Sequence, residues 1–237
     1  MSNNLKSDSF RMRGESMTRI EAFVAAAFAF AVTMLMISVG DLPENMDEFV
    51  EATKQIPAFS ASCGLVIWIW HTHAVWCRRY GLEDGMTIFL SSSLIILVLT
   101  YIYPLRLIMQ SLFLVLSNGY LSMDIAYTTA WEVRFMFAYY AIGFSLLSIN
   151  FIALYLYAIS QRQALGLNEA EYFDSQSEVY VWLACISVSS ISLILSVWLP
   201  EAHIGFAGYA LLLLFPVLGL FGFYRARARK KIVVMVN

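Results

Sequence analysis

The groups in this 237-residue sequence best suited to chemistry cluster in W-H-T-H-A-V-W, Trp70 to Trp76, with Trp68 and Cys77 on either side. On a helix, at about 100° per residue, His71 and His73 point about 200° apart and cannot grip one metal ion. Each reads instead as a hydrogen-bond partner across helices, with the tryptophans anchoring near lipid headgroups. Cys63, Cys77 and Cys185 form no C-x-x-C pair, which argues against a zinc site or a disulfide framework. No nucleophile stands beside a base at a recognisable spacing, and there is no G-x-S-x-G, H-E-x-x-H or phosphate-cradling glycine loop. An intramembrane enzyme built on His71, His73 and Asp84 is a distant alternative. The sequence reads as a non-enzyme with no metal site and no cofactor.

A different chemistry, the passage of an ion, needs only a lined path. From 20 to 39 the sole charged residue is Glu21, and at 1.5 Å per residue this helix covers roughly 30 Å, the hydrocarbon thickness of a bilayer. Ala22, Ala25, Ala26, Ala27, Ala29 and Ala31 keep it slim, while Phe30, Thr33 and Ile37 fall at i, i+3 and i+7 on one face. Alanines let such a helix approach copies of itself, and a hydroxyl between two bulky apolar groups suits a narrow, mostly dry pore. The competing reading is that the alanines pack and the larger side chains face lipid.

The rest of the chain must position that helix. With 60% hydrophobic and 14% charged residues, the composition is that of one integral membrane domain, all-α. Residues 1–18 form a polar, basic N-terminal segment, expected to be mobile or to lie on the membrane surface. A signal peptide is disfavoured because the apolar run continues to full spanning length. Further spans are expected at about 57–77, 86–103, 133–159, 179–199 and 204–224, which makes 19–224 a six-span domain followed by a basic tail, 225–237. Pro104 and Arg106 should interrupt the third span, leaving 107–116 either to extend it or to lie along the interface. Residues 161–178 read as an acidic loop or surface helix.

An even number of spans puts both ends on one side. Lys6, Arg11, Arg13, Arg19, Arg78, Arg79, Arg162 and the basic tail then share that side, against Lys54, Arg106 and Arg134 on the other. This asymmetry places both termini in the cytoplasm of a multi-pass protein of the cell's inner membrane. The basic tail follows a span directly, so it should meet anionic membrane lipid, and no nucleic-acid partner is expected.

R-I-E-A-F, Arg19 to Phe23, followed by A-F-A-F-A-V-T-M-L, Ala27 to Leu35, resembles the first-helix signature of the transmembrane protein 175 family of potassium channels, bacterial branch. W-H-T-H-A-V-W is similar to that branch's W-x-x-H segment through Trp70 and His73, as is a serine- and leucine-rich third helix ending in Pro104. The resemblance implies a homotetramer of six-helix subunits whose first helices line a central potassium pore. Counted from Phe23, the constriction falls on Phe30 and the pore threonine on Thr33, with Ile37 as the next hydrophobic layer outward. Asp41 would concentrate cations at the outer mouth, although a solvated helix end beside a turn proline explains it equally well.

The chain departs from that pattern in two places. The family motif reads R-x-x-x-F-S-D, but here Val24 and Ala25 follow Phe23, so the serine and aspartate are absent. The polar position expected in the third helix, commonly asparagine, falls on Ser93. The inter-helix polar network is thinned to Arg19, His73 and Ser93, and Arg19 would need Glu15 or Asp84 as a partner. These losses motivate the alternative reading, a divergent, non-conducting member acting as a membrane scaffold or sensing subunit.

Overall fold

The computed structural model describes residues 10–37, 42–125 and 127–236. Among them the secondary structure is helical: α1 (Arg19–Ile37), α2 (Met46–Lys54), α3 (Ile56–Tyr80), α4 (Gly85–Leu116), α5 (Ala130–Ser160), α6 (Arg162–Leu165), α7 (Glu169–Trp198), α8 (Phe206–Leu212) and α9 (Leu214–Val236). Local chemistry sets the ends. Thr18 Oγ1 accepts the Glu21 N–H at 3.0 Å to start α1, and Asp84 accepts from Thr87 at 2.9 Å to start α4. Capping boxes Thr129/Glu132 and Asn168/Glu171 open α5 and α7. Gly81, at φ 62°, closes α3 in the left-handed conformation with its N–H on the Cys77 carbonyl.

Among the described residues, α1, α4, α5, α7 and the leg comprising α8 and α9 are long and apolar enough to cross a membrane. At 25 residues α3 is also long enough, but its histidines and terminal arginines make it less apolar, and it packs against both α1 and α4.

Three sequence expectations are corrected. Pro104 does not interrupt the third span: α4 runs through it to Leu116, so 107–116 extends the helix. A proline removes one ladder N–H, a loss that neighbouring helices can offset. Arg106 is equally compatible with the helix because Asp124 meets its guanidinium at 3.0 Å and Gln55 accepts from it. Second, most of 161–178 belongs to α7, which begins at Glu169, about 15 Å before the apolar stretch from 179. Third, the last leg is broken at Leu213, because Pro216 has no N–H for the Leu212 carbonyl.

Contacts show which ends lie together. Arg13 meets Glu171 at 2.7 Å, Arg229 meets Asp174 at 2.9 Å, and the Tyr157 hydroxyl donates to Asp84. Hence α1, α4 and α7 start at one end of the bundle, and α3, α5 and α9 return to it. At the opposite end, Arg134 donates to the carbonyls of Ser196, Val197 and Leu199, where the negative end of the α7 dipole favours a cation.

The main core joins Val24, Phe28 and Leu35 of α1 to Trp76, Leu94, Phe151 and Trp182. The rings of Phe151 and Trp182 stack with centroids 4.3 Å apart. Helices α5 and α7 pack most extensively, with Ser145 and Ser189 hydrogen-bonded at 2.7 Å, and α7 meets α8 where Ser192 donates to the Ala207 carbonyl at 2.8 Å. Ser189 and Ser192 are thus buried packing residues.

Candidate functional site

The two faces of α1 differ. Glu21, Val24, Phe28, Ala31 and Leu35, spaced by three and four residues, are buried. Phe23, Phe30 and Ile37, spaced by seven, are 62%, 56% and 64% exposed. Ala26 and Thr33 fall on the same outward stripe and are also exposed. The Thr33 hydroxyl donates to the Ala29 carbonyl at 3.0 Å, so its oxygen lone pairs remain on the exposed face. The structure thus brings Phe30, Thr33 and Ile37 onto one open surface.

Asp41 lies outside the described residues. Of the acids that follow, Glu48 is engaged in capping: its backbone N–H meets Asn45 at 3.0 Å, and its carboxylate accepts from Glu44 N–H at 2.8 Å. Glu51 pairs with Lys54 at 2.5 Å and holds that ammonium's pKa above its ordinary value by hydrogen bonding.

Behind the stripe is a buried polar contact between α3 and α4. His73, 1% exposed, meets Ser91 Oγ at 2.9 Å through Nε2. His71, on the other side of α3, is exposed, as the two-residue spacing requires. Ser93 is not brought to His73; its hydroxyl donates to its own helix at the Phe89 carbonyl, 2.8 Å away. The buried stripe of α4 runs Thr87, Leu90, Ser91, Leu94, Ile95 and Val98, and Ser93 sits about 200° from Ser91, off that stripe. Asn150 of α5 reaches the same place, donating to the Leu90 carbonyl at 3.1 Å.

Arg19 is exposed at the base of α1 and is not gathered with His73. The acid buried at this base is Glu21, 6% exposed, with Arg78 Nε 3.9 Å from its carboxylate. The reading from sequence passed over Glu21. Its signal was its place on the Val24, Phe28, Ala31 and Leu35 face, which marks it as inward-pointing.

Among the described residues no group of three or more histidine, cysteine or acidic side chains is placed to hold a metal ion. The chemistry available on the α1 stripe is partial dehydration of an ion by apolar side chains with one hydroxyl layer between them.

No protein-family model matches the chain. It is similar to a curated potassium channel of Marivirga tractuosa, with 27% identity in a 232-position alignment that covers 94% of each chain. Its fold is similar to the crystal structure of the potassium channel MtTMEM175, solved as a threonine-to-alanine variant in complex with a nanobody-MBP fusion protein. That match has a TM-score of 0.80 at 27% identity and covers 92% of this chain and 97% of the other. Sequence and fold thus agree along nearly the whole length of both relatives, and the chain is similar throughout to bacterial potassium channels of the transmembrane protein 175 kind.

Proposed function

We propose that the chain is the subunit of a potassium-permeable cation channel in the cell's inner membrane, with α1 lining a central pore. The observation that carries this reading is the divided surface of α1: one face buried against α3 and α4, the other an exposed row of Phe23, Ala26, Phe30, Thr33 and Ile37. In a homotetramer, four such rows would face one axis. Phe30 then forms the constriction, Thr33 a ring of hydroxyl oxygens, Ile37 the next apolar layer, and Asp41 an anionic outer mouth. In this reading α3 is the sixth span, shielded by its neighbours, and both termini are cytoplasmic.

Purified protein in planar bilayers tests this. Reversal potentials in mixed potassium and sodium solutions should follow the potassium gradient. Phe30→Ala should raise unitary conductance several-fold, and unchanged conductance would remove Phe30 from the constriction. A folded oligomer that passes no potassium in proteoliposomes at any voltage or pH would instead favour a scaffold or sensing subunit.

A further inference from the structure

Residues 10–18, expected to be mobile or to lie on the membrane surface, are held to the bundle at the foot of α1 through Phe10, Arg13, Gly14 and Thr18. Arg13 is the centre of this strap. Its guanidinium meets both Glu171 carboxylate oxygens, at 2.7 and 3.2 Å, and donates to the carbonyls of Leu165 at 2.8 Å and Gly166 at 3.3 Å. The Arg13 side chain is 11% exposed and that of Glu171 3%. Glu171 is held in turn by the N–H groups of Arg11 at 2.8 Å and Asn168 at 3.1 Å. A bidentate, fully hydrogen-bonded arginine–carboxylate pair is geometrically specific in a way that a surface ion pair is not.

The strap's backbone grips α3. The Arg13 and Gly14 N–H groups both donate to the Arg78 carbonyl at 3.0 Å, one of the carbonyls that a helix end leaves without an intrahelical partner. The approach is close enough that a Cβ on Gly14 would stand 2.8 Å from the Cys77 carbonyl oxygen. Phe10 buries its ring edge-on to Tyr80, with Arg79 stacked 5.0 Å from its centroid. A few residues further on, Thr18 caps α1 and Glu21 faces Arg78. Helix α1 itself packs mainly on α3 and α4, so the strap is its principal link to α7.

We infer that Arg13 is a positioning residue for the conducting helix: through the strap, the first turns of α7 set where the base of α1 stands. The inference rests on the channel reading above. It separates two properties, since the α1 stripe sets how fast ions pass and Arg13 sets how often the path is open. The first turns of α7 are also clasped by α9, through Arg225 to Glu178 at 2.8 Å and Arg229 to Asp174 at 2.9 Å, so a displacement of α9 would reach α1 by this route.

The full-length channel tests it in two ways. In single-channel recordings, Arg13→Ala and Glu171→Gln should each change open probability roughly tenfold, the scale of a charged hydrogen bond, with unitary conductance and reversal potential unchanged. Glutamine at 171 keeps the capping-box geometry, so a fault in α7 folding is not the cause. Arg13→Lys, which keeps charge but not the fork, should fall between. Gly14→Ala, which pushes the strap off α3 without touching charge, should act like Arg13→Ala. In hydrogen exchange, Glu171→Gln should lower protection in peptides covering 11–28 but not in those covering 88–100.

Wild-type open probability in Arg13→Ala and Glu171→Gln would overturn the inference, as would a change in unitary conductance, which belongs to a pore-lining role. If the wild type passes no ions, the channel reading fails. Exchange still decides the mechanical link, which is wrong if protection of 20–28 is unaltered.

Discussion

Helices α1 and α7 are both apolar legs of one subunit, yet their surroundings differ. α7 is enclosed by α5, α8 and α9, and its small residues Cys185, Ser189, Ser192 and Ser196 are all completely buried. On α1, burial stops at one face, and the other presents phenylalanines, a threonine and alanines in a seven-residue rhythm. Exposure of large apolar side chains is ordinary for a leg facing lipid, and α7 has it too at Ile191, Ile194 and Val197. The distinction lies in pattern. The outward row of α1 alternates bulky and small and includes a hydroxyl, the pattern on which the proposed pore rests. α7 organises the chain internally, and α1 keeps one face open.

The same substitution at the two sites should break this comparison most visibly. Ser189→Leu forces extra volume between α5 and α7 and removes the bond to Ser145. A cost of about 1–3 kcal/mol is expected, read as a lower midpoint of thermal unfolding in detergent. Ala26→Leu, on the exposed row, should leave that midpoint nearly unchanged and reduce unitary conductance by narrowing the path. A large loss of stability at Ala26 with conductance intact would place that face in a packed interface instead.

A smaller effect tests the contact behind the stripe. Ser91→Ala leaves the buried His73 Nε2 with only the weak Cys77 thiol contact at 3.9 Å and should cost roughly 1–3 kcal/mol in the same assay, whereas Ser93→Ala should stay within about 0.5 kcal/mol. The reverse order would restore Ser93 to the network. The smallest effect is expected at Ile194, 57% exposed on α7. Ile194→Ala should alter neither unfolding nor conductance, and a change in conductance would show that the outer face of α7 also borders the ion path.

Much of this was legible in the residues. Membrane-spanning runs announce themselves because lipid demands some 20 apolar residues wherever a helix crosses. The opposition of His71 and His73 follows from helix geometry alone, and the row on α1 from its spacing. Ser91 was not separable from Ser93, because three consecutive serines carry no periodic signal and the buried stripe of α4 is defined only by what packs on it. The strap was illegible for a related reason. A short polar, basic segment reads as mobile or surface-lying, and residues 10–18 are instead tied to the bundle because Arg13 meets a carboxylate 158 positions away.

By itself the sequence determined that the chain is helical and membrane-embedded, and that Phe30, Thr33 and Ile37 share one face of its first helix, since these depend on side-chain polarity and the fixed rise and turn of a helix. Only the tertiary structure decided which face of α1 is buried, that His73 pairs with Ser91, that α4 continues past Pro104, and that Arg13 ties α7 to the foot of α1. Each of those depends on which distant groups meet. Close packing and the pairing of buried charge settle that, and neither can be read from neighbours along the chain.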